Sequence, residues 1–127
     1  MRLLLDTSIL IDVLRVRKRR NEWLAELVRN GHTLATTTLN IAEIYAGMRP
    51  AEEGRTEALL SGLEVYELGG ASARLAGRLK NTWSRKGHTL SLADTIVAAV
   101  AIEHGCALLT DNRKDFPMPE VRLYPMP

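Results

Sequence analysis

The stretch Arg2-Leu3-Leu4-Leu5-Asp6-Thr7-Ser8 decides how the rest of the chain is read. Three successive leucines do not alternate with polar residues as a half-exposed strand would, so Arg2–Asp6 reads as a short strand buried on both faces. A strand of that kind belongs to a parallel sheet covered on two sides by helices. Working outward, Thr7-Ser8 offers a cap for a short helix from Ile9 to about Leu14. A second helix covers Asn21–Arg29, with Trp23, Leu24, Leu27 and Val28 on one face and Asn30-Gly31 at its end. Thr33–Thr37 reads as a strand, and Leu39–Met48 as a helix stopped before Pro50. The alternation continues through helix Ala51–Ser61, strand Val65–Leu68, amphipathic helix Ala71–Lys86, apolar helix Leu92–His104, and strands Ala107–Thr110 and Val121–Tyr124. The expected class is α/β, and in such sheets ligands bind at the carboxyl ends of the strands.

With 127 residues, the chain is expected to form a single domain over 1–127 around one core. Apolar residues make up 46% and charged residues 25%, which excludes disordered and fibrous classes. Seventeen Lys and Arg against 15 Asp and Glu leave a net charge of +2, so any charge-based function must come from segregation along the chain. Cys106 is the only cysteine, which excludes an internal disulfide and a Cys-rich zinc site and suits a reduced, cytoplasmic setting. Cys106 itself reads as a small residue entering a buried strand. No apolar run approaches the roughly 18 residues of a membrane span, so no membrane partner is expected. His32, His88 and His104 each sit beside a glycine and none is paired with another, so histidine-pair catalysis has little support. No P-loop, dinucleotide fingerprint or nucleophile elbow occurs.

Several acids sit where a core would exclude them. Asp6 follows three leucines directly, and is either a cap or turn residue at a strand-to-helix junction or a paired or metal-bound carboxylate. Of the eleven residues Leu92–Ile102, only Asp94 and Thr95 are polar. Ser91-x-x-Asp94 also fits a capping box, which would still put the acid in the first helical turn. Asn40-x-x-Glu43 fits a second such box. After strand Ala107–Leu109 comes Thr110-Asp111-Asn112-Arg113-Lys114-Asp115-Phe116, in which Asp111, Asn112 or Asp115 could complete a cluster; spacing does not choose among them.

Each acid stands after a strand or in the first turn of a helix, and on a parallel sheet these addresses converge on one edge. Carboxylates meeting there repel one another unless protonated or bridged by a cation, and oxygen-only ligands suit Mg²⁺ or Mn²⁺ rather than zinc. Carboxylate-held cations hydrolyse phosphodiesters by activating water and stabilising charge on the attacking and leaving oxygens. Such a site needs cations outside it to attract a polyanion. Arg15, Arg17, Lys18, Arg19 and Arg20 supply five in six residues, and Arg74, Arg78 and Arg85 recur at helical spacing with Lys80 and Lys86 nearby.

Four segments, Leu3–Ser8, Asn40–Ile44, Leu90–Ala98 and Leu109–Phe116, resemble in order the signatures of PIN-domain proteins, most of all VapC-type toxins of bacterial toxin–antitoxin pairs. The resemblance covers essentially the whole chain. It implies a three-layer α/β/α sandwich with a short, mainly parallel central sheet, and a Mg²⁺-dependent endoribonuclease with Mn²⁺ as a substitute. By position it makes Asp6, Glu43 and Asp94 the core acids, with Asp6 and Asp94 as direct metal ligands and Thr7 and Thr110 as supporting hydroxyls. Asn112 occupies a place that some members fill with Asp, flanked here by Asp111 and Asp115. The resemblance also implies RNA cleaved to 5′-phosphate and 3′-hydroxyl ends, homodimers, higher toxin–antitoxin assemblies, and a cognate VapB-like antitoxin whose C-terminal segment blocks the cleft. The basic residues are then candidates for contact with RNA or antitoxin.

Two other classes share these residues. One is a PIN-fold binding or regulatory module without turnover, separated from an enzyme by metal titration. The other is an acid-cluster DNA nuclease or phosphatase, separated by comparing RNA, single-stranded DNA and small phosphoesters as substrates.

Overall fold

In the computed structural model, which describes Met1–Pro127, five strands form one sheet in the order β3-β2-β1-β4-β5. The strands are β1 (Arg2–Leu5), β2 (Thr33–Thr37), β3 (Glu64–Tyr66), β4 (Ala107–Leu109) and β5 (Arg122–Leu123). Every pairing is parallel, so the sheet is wholly rather than mainly parallel. The helices are α1 (Thr7–Leu14), α2 (Arg20–Arg29), α3 (Thr38–Gly47), α4 (Glu53–Ser61), α5 (Gly70–Arg85) and α6 (Leu92–Glu103), with short 3₁₀ turns at Pro50–Glu52 and Arg113–Asp115.

Strand side chains alternate between faces, and here both faces are core. Leu3, Leu5, Leu34, Ala107 and Leu109 pack with Ile9, Leu10, Leu24, Leu27 and Ile44 beneath α1, α2 and α3. Leu4, Ala35 and Leu108 pack on the opposite face with Leu79, Val97, Ala98 and Ala101 of α5 and α6. This is why Leu3-Leu4-Leu5 carries no polar alternation: each leucine is 0% exposed. Leu75 and Trp83 extend the second face along α5, as the amphipathic reading requires.

Element ends differ from the sequence reading by a residue or two at several points, four of which matter most. The first helix begins at Thr7 rather than Ile9, because the Asp6 carboxylate caps it by accepting from the Thr7 amide at 2.9 Å. Asn40 is not the cap of α3. Thr37 takes that place and forms the box with Asn40, so Glu43 falls one turn further on. The fourth helix opens as a 3₁₀ turn, with Pro50 at its first position, before continuing as α4. The third strand lies at Glu64–Tyr66, pairing Ala35 with Glu64 and Thr37 with Tyr66, one residue earlier than its apolar content suggests.

One buried charge binds the two halves of the chain. Arg20 is 4% exposed; its Nη2 donates to Asp111 Oδ1 at 2.7 Å, and its Nε lies 3.7 Å from Asp12 Oδ2. Lys18 Nζ reaches the same two acids, at 3.2 Å from Asp111 and 3.7 Å from Asp12. The guanidinium also sits over the Trp23 ring, 5.6 Å from its centroid. Thus α1, α2 and the loop after β4 share one ion network. To enter it, the link between α1 and α2 adopts left-handed backbone at three non-glycine residues, Val16 (φ 51°), Lys18 (φ 54°) and Arg19 (φ 54°).

Arg20→Met should leave buried Asp12 with Lys18 alone and take from Asp111 its 2.7 Å donor, lowering stability by about 3 kcal/mol in urea unfolding; a loss below about 1 kcal/mol would show that the network contributes little. Val16 is 69% exposed, so Val16→Gly removes left-handed strain without losing packing. It should raise stability by about 0.5–1 kcal/mol, or roughly 2–5 °C in a thermal melt. A fall in Tm would contradict the strain argument.

Candidate acidic site

The register of β1 against β4 builds the site. Leu5 pairs with Leu109, so the next residues, Asp6 and Thr110, leave the sheet side by side. The Asp6 amide donates to the Leu109 carbonyl at 3.0 Å, and the Thr110 hydroxyl donates to Asp6 Oδ2 at 2.8 Å. The crevice opens at the carboxyl ends of the strands, where β1 has β2 on one side and β4 on the other.

The second wall comes from β2 and α3. Asn40, 0% exposed, is a hub that the sequence reading placed only as a cap. Its Oδ1 accepts from the Thr37 hydroxyl at 2.6 Å, and its Nδ2 donates to Thr7 Oγ1 at 2.9 Å and reaches Asp6 Oδ1 at 3.5 Å. Thr7 passes the order on by donating to Glu43 Oε1 at 2.7 Å. Asp6 and Glu43, on different elements, are therefore oriented by one chain of hydroxyls and an amide. An interior polar residue one turn into a helix and facing the sheet edge was the only available sequence signal for Asn40.

Asp94 enters from the first turn of α6, its amide donating to Ser91 Oγ at 3.0 Å. Burial pushes the Asp6 carboxyl above its ordinary value of 3.8, against the lowering effect of Thr110 and Thr7, and the charges of Glu43 and Asp115 push it further. Asp94 is raised by the same primary cause, partly offset by Ser91, with Asp115, Asp6 and Glu43 adding repulsion. Asp6, Glu43, Asp94 and Asp115 thus feel one another across the cleft.

The loop after β4 divides its candidates. Asp115, on the 3₁₀ turn Arg113–Asp115, acts on both Asp6 and Asp94. Asp111 turns to Arg20 and Lys18. Asn112 contributes its backbone amide, donated to Thr110 Oγ1 at 3.0 Å, so Thr110 is held from one side while it donates to Asp6 from the other. The histidines lie elsewhere: His32 is edge-on to Tyr124, His88 edge-on to Trp83, and His104 stacked on Tyr66.

The basic run also divides. Lys18, Arg19 and Arg20 are tied to Asp12, Asp111 and Glu22, whereas Arg15 and Arg17 line an open cavity at the end of α1. Arg74, Arg78 and Arg85 lie on α5, in the layer of α6.

Oxygen-only donors, with Asp6 and Asp94 raised first by burial and then by neighbouring carboxylates, have the chemistry that a hard divalent cation would satisfy. No three His, Cys, Asp or Glu side chains are drawn together closely enough to hold an ion as they stand.

Residues 3–119 match the PIN domain family. Among relatives, the chain is 35% identical to ribonuclease VapC19 of Mycobacterium tuberculosis, over 91% of this chain and 92% of that one. It is 32% identical to ribonuclease VapC10 of the same organism, over 91% and 86%. Among solved structures, it superposes on a chain of VapBC2 from Rickettsia felis bound to a DNA fragment from its promoter, with TM-score 0.87 and 23% identity, covering 98% of each. A chain of a toxin–antitoxin complex from Klebsiella pneumoniae gives TM-score 0.78 and 28% identity, covering 94% of each. With its fold reproduced in those structures and its sequence matched over residues 3–119, this chain belongs to the PIN-domain family.

Proposed function

We propose that this chain is a divalent-metal-dependent endoribonuclease, the toxin of a toxin–antitoxin pair. The observation that carries the reading is the placement of Asp6 at the end of β1, hydrogen-bonded to Thr110 and linked through Asn40 and Thr7 to Glu43, with burial and the charges of Glu43 and Asp115 raising both Asp6 and Asp94. The relatives named ribonucleases supply the substrate class, and the 28% identical chain from a toxin–antitoxin complex supports a cognate VapB-like antitoxin and membership of a larger assembly. A homodimer is part of the same reading.

Asp6 and Asp94 would hold the ion, Mg²⁺ or in its place Mn²⁺. When bound, such an ion supplies Lewis acidity and lowers the pKa of water. The chain's own residues do the positioning. Thr110 and the Thr7 amide fix both Asp6 oxygens, so the carboxylate cannot rotate away from the cleft. Thr7 holds Glu43 by Oε1, leaving Oε2 to accept a proton from, and so orient, the attacking water. The water oxygen then bonds to phosphorus in line as the bond to the 3′ oxygen breaks; the water's proton goes to Glu43 and the 3′ oxygen takes one from solvent, leaving a 5′-phosphate and a 3′-hydroxyl.

One observation favours a second reading. The carboxylates are not gathered into a closed set, as would also hold for a PIN-fold binding module without turnover. Calorimetric titration with Mn²⁺ separates the two, since a module would bind the ion no better than its Asp6→Asn variant.

Asp6→Asn and Asp94→Asn should each lower RNA cleavage at least about 100-fold while leaving the fold intact by circular dichroism. Asn40→Ala, which removes the link from Thr37 to Thr7 and Asp6 along with half of the α3 capping box, should lower it about 10–100-fold, with circular dichroism confirming that the fold is kept. Full cleavage by either Asp variant, or undiminished activity in EDTA, would overturn the assignment.

Stability should also report the site. Because the folded-state carboxyls of Asp6 and Asp94 titrate above the unfolded value of 3.8, their contribution is fully present below that pH and lost as pH rises through the raised values. In EDTA, Asp94→Asn should therefore gain stability relative to wild type as pH rises from 3.8 toward neutrality. Added Mn²⁺ should close the gap by stabilising wild type alone. A difference independent of pH would contradict the burial of these charges.

A further inference from the structure

We propose that Arg15, Arg17, Arg49 and Arg55 form a phosphate subsite that takes a backbone phosphate of the RNA strand away from the bond being cut. The four side chains, with Leu14, Val16 and Glu52, line a cavity of ≈ 340 Å³ where the end of α1 faces the 3₁₀ turn Pro50–Glu52 and the start of α4. Arg49 and Arg55 lie 34 or more residues from Arg15 along the chain, and only folding brings them beside it. The inference rests on RNA as substrate, and it adds which phosphate contacts the chain makes outside its acids.

Charge, backbone and the neighbouring cavity together support the subsite, and charge points directly to an anion. None of the four arginines is in an ion pair with a carboxylate, in contrast to Lys18, Arg19 and Arg20 of the same basic run. Glu52 is the one acid in the cavity, and it is already engaged, accepting from the Arg49 amide at 2.9 Å. The charges of Arg49, Arg15 and Arg55 all act on it, supplementing that hydrogen bond in holding its carboxyl below the usual range. Four guanidiniums against one carboxylate leave the cavity strongly positive, and guanidinium forks match phosphate oxygens two at a time.

The backbone supplies the second observation. Val16, Lys18 and Arg19 hold left-handed conformations that L-residues adopt at a cost, in one short link between helices. The basic run divides within that link: Arg15 and Arg17 go to the cavity, while Lys18 and Arg20 go inward to Asp12 and Asp111.

The third is continuity with the acids. A neighbouring cavity is lined by Glu43 together with Ile11, Ile44 and Met48, and it shares Leu14, Arg15 and Glu52 with the arginine cavity. Glu43, held by Thr7 beside Asp6, thus borders a trough that runs on to the arginines, and an RNA strand cut at the acids would extend along it. This path favours a phosphodiester chain over an acidic peptide as the occupant.

The test is binding of a fluorescein-labelled 20-nucleotide single-stranded RNA to the full chain in EDTA, read by anisotropy over a range of salt, with gels confirming that the RNA stays intact. Arg49→Ala/Arg55→Ala should weaken binding about tenfold at 0.1 M salt and flatten the salt dependence by about 0.7–1.4 in log–log slope. Arg17→Glu, at an exposed position, should weaken it at least as much. Arg74→Ala/Arg78→Ala, an equal loss of charge on α5, should do less than the cavity pair. Binding by the cavity variants within twofold of wild type would overturn the subsite, as would an equal loss from the α5 pair. So would a variant that keeps RNA affinity but loses binding to a glutamate-rich decapeptide. If wild type itself fails to bind RNA, the ribonuclease reading fails; if wild type binds and the cavity variants match it, only the subsite fails.

Discussion

The pairing of β1 with β4 is the constraint on which the other features of this molecule depend. Leu5 lies beside Leu109, and from that register Asp6 and Thr110 emerge together at the sheet edge, joined by the Asp6 amide to the Leu109 carbonyl and by the Thr110 hydroxyl to the Asp6 carboxylate. A slip of one residue would exchange the two core faces of the strand, set Leu4 against the packing built for Leu3 and Leu5, and part Asp6 from Thr110. Both faces of β1 are core, so the register is enforced from two sides. Burying each leucine stabilises the fold by about 2 kcal/mol, which is enough to hold a costly carboxylate at the end of the strand.

That carboxylate is surrounded by donors yet still titrates high. Neutral hydrogen bonds contribute about 1 kcal/mol each, whereas desolvation of an ion and its repulsion by Glu43 and Asp115 act over a longer range. The chain Thr37, Asn40, Thr7, Glu43 therefore serves orientation more than stability. A site so arranged is less stable by itself than with a cation among its acids, the usual trade between stability and function.

The net charge of +2 conceals two opposed regions. Acids gather at the carboxyl edge of the sheet, and arginines collect at the end of α1 beside the start of α4, one trough away. Between them, the Arg20 network uses part of the basic run to fasten helices to the loop after β4. Cations adjacent in sequence thus divide between holding the fold and facing solvent, the division falling between Arg17 and Lys18 in a link with left-handed backbone.

By itself the sequence determined the succession of strands and helices, the burial of Leu3–Leu5 on both faces, and the addresses of Asp6, Asp94 and the loop after β4. Those features follow from apolar periodicity and short-range turn chemistry, which are local properties. The tertiary structure alone decided that Thr37 rather than Asn40 caps α3, that Asn40 reaches Asp6 across 34 residues, and that Asp111 meets Arg20 across 91. It also decided that Asp115 rather than Asp111 acts on Asp6 and Asp94, and that Arg49 and Arg55 join Arg15 and Arg17. The physical reason is common to these cases: each depends on which distant partner a flexible polar side chain meets, and that is set by strand register and helix packing rather than by neighbours in the chain.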